Sequence, residues 1–163
     1  MEQKRDHLSS RETNRGLRWV YGFTFIVMAF TGMGQMPIFK RYYISDIPGM
    51  GWSADFFLTH YIHYLGAIFL GGLIAYILAD FLFAGRRVLR LTPRAYVQGL
   101  FLAGIVVTGA FRVLKNLPDI VFSPGVTMMI DISHLVFMLL YVTTALIFAF
   151  GKIGWVKTKT PWQ

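Results

Sequence analysis

The chain contains no cysteine. Disulfide staples, thiolate zinc sites, iron–sulfur ligation and c-type haem attachment are therefore excluded within it. Charge is also scarce: 15% of the 163 residues are charged, against roughly 25% in ordinary soluble domains. With 55% apolar and 17% aromatic residues, that shortage excludes a disordered chain and argues against a water-soluble globular domain. Acidic residues are half as many as basic ones, 8 against 16, for a net charge of +8. Such an excess suits either nucleic acid or an anionic membrane surface, and only the placement of the charges separates the two. No internal repeat, low-complexity tract or second domain is apparent.

What is present is a set of long apolar runs. The stretch from Trp19 to Phe39 carries no formal charge and is long enough to cross a hydrocarbon core of about 30 Å at about 1.5 Å per residue. A second run is interrupted only by His60, His63 and Asp80, and a later one only by Asp131 and His134. Four membrane spans are expected, at about 19–39, 56–83, 94–114 and 126–150. The fold class is all-α: an integral membrane four-helix bundle forming a single domain over 1–163, with a polar leader at 1–17. Thr92-Pro93 reads as an N-cap followed by proline at the first helical position, and Ser53 as a cap for the second helix. The first run is not a cleaved signal peptide, because its leader and apolar core are too long and no small-residue cleavage site follows.

The basic residues set the orientation. Lys4, Arg5, Arg11, Arg15 and Arg18 in the leader, Arg86, Arg87, Arg90 and Arg94 in the second connection, and Lys152, Lys157 and Lys159 in the tail all fall on one side of the spans. The other side has only Lys40, Arg41, Arg112 and Lys115. Both termini are therefore expected in the cytoplasm, in a cell inner membrane. Trp19, Tyr42, Tyr43, Trp52, Tyr96 and Trp155 fall near span ends, as an interfacial aromatic belt does. The charge excess becomes an orientation signal, and nucleic acid is not an expected partner.

Apart from His7 in the leader, the histidines lie in or at the edge of spans, where ionisable groups are costly and mark function. His63 lies about 10 Å, and His134 about 12 Å, from the outer ends of their helices. Two helices thus carry an imidazole at matching depth. One b-type haem asks for that arrangement: two neutral imidazoles ligate the iron axially while the bundle shields the macrocycle. The plainer alternative has them bond carbonyls between helices. Gly66, one turn from His63, is a place where a porphyrin can approach backbone. His60 is an alternative ligand, a propionate partner or a proton donor to a quinone. Met128 and Met129 are conceivable axial alternatives, though more often packing residues. Asp131 either pairs with a cation or handles a quinone proton. Arg112 and Lys115 either neutralise haem propionates or mark the interface. No second histidine pair exists near the cytoplasmic side, so one haem is the limit.

The segment Arg15-Gly-Leu-Arg18-Trp19, followed by an aromatic span ending in Thr31-Gly32, resembles the first helix of the formate dehydrogenase gamma-subunit and nickel–iron hydrogenase cytochrome b family. That family typically begins with Arg-x-x-His-Trp and closes the helix with Ser/Thr-Gly. Its second helix carries a histidine with a small residue a turn later, as His63 and Gly66 do, and its last helix carries one near the outer end, as His134 does. The chain departs from the family where Arg18 replaces a histidine and where the last helix lacks its second histidine. Both missing residues would serve the cytoplasmic-side haem, so the resemblance implies a member reduced to the outer one. It further implies a subunit passing electrons between an extracytoplasmic partner (an iron–sulfur or multihaem subunit of a respiratory oxidoreductase complex) and membrane quinone.

No residue set suggests independent bond-making catalysis. The rival readings are a haem-free anchor or quinone-binding subunit, and a small proton-coupled transporter. Small residues at Gly66, Gly71 and Gly72, and at Gly99, Ala103 and Ala110, are expected to let helices approach closely. The loop 42–55, rich in Tyr, Pro and Gly, is the expected docking surface for a partner subunit.

Overall fold

A computed structural model describes residues 15–36, 43–151 and 154–158. The leader up to residue 14, His7, Lys40, Arg41, Tyr42, Lys152 and Lys159 lie outside the described residues. The chain divides into two compact units, Met1–Gly85 and Arg86–Gln163. In the first, helix α1 (Arg15–Gly34) packs antiparallel against α2 (Phe56–Phe83). In the second, α3 (Pro93–Leu114) packs antiparallel against α4 (Pro124–Phe150). Of these four, α2, α3 and α4 are long and apolar enough to cross a membrane. Helix α1 is shorter, and Arg18 lies inside it.

Local chemistry explains each helix start. The Asp55 carboxylate accepts from the backbone N–H groups of Phe57 at 2.9 Å and Leu58 at 3.1 Å, satisfying two of the unpaired donors at the N-terminus of α2. Asp55 is thus the cap; Ser53, the expected one, is fully buried and donates instead to Met50 O at 2.7 Å. Thr92 caps α3 as expected, accepting from Ala95 N at 3.4 Å with Pro93 in the first turn. Ser123-Pro124 repeats the device at α4, so that helix begins before the expected residue 126. Between α1 and α2, Pro48-Gly49 form a tight turn closed by Met50 N donating to Ile47 O at 2.8 Å. Gly49 has φ +85° there, the left-handed conformation a type II turn requires.

One element was not expected. Strand β1 (Leu89–Leu91) pairs antiparallel with β2 (Val156–Thr158), with Leu91 opposite Val156. The buried Thr92 reinforces this ribbon, donating from Oγ1 to Gly154 O at 2.7 Å.

Burial is inverted relative to a soluble protein. Large apolar side chains such as Phe57, Ile68, Phe83, Leu100 and Phe150 are exposed, whereas Ser53, Thr59, Gln98, Thr31 and Thr92 are the largest fully buried ones. An apolar exterior of this extent would be a severe liability in water. It is the expected surface for helices in hydrocarbon, whose packing relies on small and hydroxyl side chains.

Candidate functional site

The buried threonines lead to the histidines. In the first unit, Thr31 on α1 is 1% exposed. Its hydroxyl oxygen lies 2.8 Å from Val27 O of its own helix and 3.1 Å from Nδ1 of His63 on α2. The next residue, Gly32, lets the backbone of α1 come up against the imidazole: a Cβ there would lie 3.1 Å from His63 Cε1. In the second unit, Thr108 on α3 lies 2.6 Å from Gly104 O and 3.0 Å from Nδ1 of His134 on α4. Gly109 follows it, and a Cβ there would lie 3.3 Å from His134 Cε1. Each unit therefore holds one half-buried imidazole between a threonine hydroxyl and a glycine backbone on the neighbouring helix.

The correspondence extends along both hairpins. Four residues beyond Thr31, Gln35 Oε1 lies 3.2 Å from Nδ1 of His60, which precedes His63 by three. Four residues beyond Thr108, Arg112 Nε lies 2.9 Å from Asp131, which precedes His134 by three. Seven residues beyond each histidine, Leu70 and Tyr141 are buried. The two hairpins thus share this arrangement of threonine, glycine and histidine. Only Thr-Gly and His are identical among these positions, and the separation from threonine to histidine differs, 32 against 26.

Other expected site residues take more specific roles. Gly66 receives a side chain from its own hairpin: a Cβ there would collide with Met28 Sδ. Beside it runs an open apolar groove between α1 and α2 of about 670 Å³, lined by Trp19, Phe23, Val27, Leu65, Gly66 and Phe69 among others. Arg112 and Lys115 both bind the Asp131 carboxylate, Lys115 Nζ at 2.7 Å. Of the two roles expected for Asp131, pairing with a cation is the one observed. His60 stacks on Phe56 at 5.4 Å between ring centroids and meets the edge of Tyr64 at 4.3 Å. Met128 and Met129 are exposed.

Sequence reasoning misses Thr108, Gly109, Gly104 and Gln35. The available signal was the dipeptide Thr-Gly, present at 31–32 and at 108–109, each followed by an intramembrane histidine on the next helix. Of the glycines expected at close approaches, Gly66 makes one, whereas Gly71, Gly72 and Gly99 have nothing within 4 Å of where an added Cβ would sit; Gly32, Gly104 and Gly109 make the others. Among the described residues no group of three or more His, Cys, Asp or Glu side chains is placed to hold a metal ion. Haem iron is held by one or two side chains and needs no such cluster. Comparisons of the chain with protein-family models, curated proteins and solved structures return no match.

Proposed function

We propose that the protein is an integral membrane cytochrome b subunit. His63 and His134 would hold one b-type haem, and both termini would face the cytoplasm of a cell inner membrane. The observation that carries this reading is the repeated clamp: one imidazole per hairpin, each backed through Nδ1 by a threonine and each close against a glycine. Anchoring a ligand imidazole through its second ring nitrogen is the usual way a protein orients it towards a metal. Each clamp supplies an imidazole of the kind haem iron takes, and Nε2 of each ring would be the ligating atom. Bound haem supplies one-electron redox chemistry, and the apolar exterior keeps the surroundings of low polarity.

The chain's own residues set the conditions for that transfer. His63 and His134 would hold the cofactor, Thr31 and Thr108 orient the rings, and the ion pairs at Asp131 keep Arg112 and Lys115 compensated next to His134. Electrons pass between an extracytoplasmic iron–sulfur or multihaem subunit of a respiratory complex, docked on the loop 42–55, and quinone in the membrane. This assignment rests on the resemblance of the Arg15–Trp19, Thr31-Gly32, His63–Gly66 and His134 segments to the formate dehydrogenase gamma-subunit family. A reduced-minus-oxidised visible spectrum of the purified chain tests the reading. A b-type haem signal at one haem per chain is the expected result, and a chain without haem would remove it in favour of an anchor or quinone-binding subunit.

A further inference from the structure

The two clamps share a feature that places a proton. A threonine hydroxyl has one hydrogen to donate and lone pairs to accept with, whereas a backbone carbonyl only accepts. In both hairpins the hydroxyl oxygen is nearer to the carbonyl of its own helix than to the imidazole. The distances are 2.8 Å against 3.1 Å for Thr31, and 2.6 Å against 3.0 Å for Thr108. The contacts to Val27 O and Gly104 O require the hydroxyl hydrogen, because nothing else in them can donate. What each threonine then turns to its histidine is a lone pair, and the ring must supply the hydrogen.

We propose that Thr31 and Thr108 are positioning residues that hold His63 and His134 as the Nδ1–H tautomer, so that the lone pair of each neutral imidazole lies on Nε2. Gly32 and Gly109 belong to the same device, since they admit the ring to the helix surface where the hydroxyl sits. Gln35 acts alike on His60. Its amide nitrogen donates to Thr31 O at 3.4 Å, which turns the amide oxygen to accept from His60 Nδ1 at 3.2 Å. The placement of the proton stands on each hairpin by itself; its use in presenting Nε2 to an iron rests on the haem reading.

The test is nitrogen NMR of the full chain carrying ring-15N histidine, prepared without haem in lipid nanodiscs, with His63 and His134 assigned by single substitution. Protonated and unprotonated ring nitrogens are well separated in such spectra, so the tautomer is read directly. In the wild type both histidines are expected to show a protonated Nδ1 and an unprotonated Nε2. Thr31→Ser and Thr108→Ser keep the hydroxyl and are expected to keep the pattern. Thr31→Val and Thr108→Val remove it at nearly the same shape, and each is expected to raise the Nε2–H population of its facing histidine alone, less so at His134, whose ring also donates to the Ile105 carbonyl. A protonated Nε2 in the wild type, or a valine variant that leaves its histidine unchanged, would overturn the proposal. A haem-free chain with the expected tautomers defeats the haem reading alone. A haem-binding chain without them defeats this inference alone.

Discussion

In the first hairpin the small residue at the closest helix approach is Gly66, on the histidine-bearing helix, and Met28 comes from the threonine-bearing one. In the second hairpin the glycine is Gly104, on the threonine-bearing helix, and the ring of Phe137 comes from the histidine-bearing one. The polar pairs beyond the clamp differ in kind as well. Gln35 and His60 form a hydrogen bond, whereas Arg112, Lys115 and Asp131 form two ion pairs. Yet the threonine–histidine distance is the same in both within 0.1 Å, at 3.1 and 3.0 Å. The threonine–histidine contact thus recurs in both hairpins while the packing and the polar pairs around it differ.

The largest effect that distinguishes the hairpins should come from Gly104→Ala. A methyl there would lie 2.7 Å from the Phe137 ring, and a rigid ring has no nearby alternative rotamer, so overpacking is expected to cost about 1–3 kcal/mol. Gly66→Ala meets Sδ and Cγ of Met28, part of a flexible thioether side chain that can swing aside. The gain of about 0.5–1 kcal/mol from replacing a mid-helix glycine is then expected to cancel most of the strain. Thermal unfolding of the two variants in one detergent reads the difference directly, and equal losses would break the comparison.

Next in size is Asp131→Asn, which leaves Arg112 and Lys115 without their counter-charge. These side chains are partly exposed, so the loss is expected to be about 1 kcal/mol. It should shrink as salt is added to the wild-type reference, because screening weakens the ion pairs. Gln35→Leu, the matching lesion in the first hairpin, removes the two neutral hydrogen bonds to Thr31 O and His60 Nδ1 for about 0.5–1 kcal/mol, and that loss is expected not to vary with salt. A salt dependence of the same slope in both variants would erase the distinction.

The sequence made some of this plain and hid the rest for physical reasons. The span 56–83 coincides with α2, and Thr92-Pro93 begins α3, because long apolar runs and an N-cap followed by proline are local signals. Ser53 lost the cap of α2 to Asp55, two residues on, where both candidates carry a suitable oxygen and only the backbone path decides. The ribbon of β1 and β2 was invisible because three-residue strands are too short for an alternation pattern. Glycine spacing picked out Gly66 but also Gly71, Gly72 and Gly99, and it missed the close contacts at Gly32, Gly104 and Gly109; a glycine matters only opposite a particular side chain such as Met28 or Phe137. His63 and His134 stood out at once, since an imidazole in a span needs a reason. Their partners did not, because a threonine on an apolar helix usually bonds only its own backbone, and Thr31 and Thr108 do that as well.

The central claim is that the two hairpins present equivalent imidazoles to one haem. Visible spectra of His63→Ala, His134→Ala and His60→Ala, purified side by side with the wild type, test it most directly. The account predicts that the b-type signal is lost in the first two alike and kept in the third. A signal that survives either of the first two substitutions, or that disappears with His60, would contradict it.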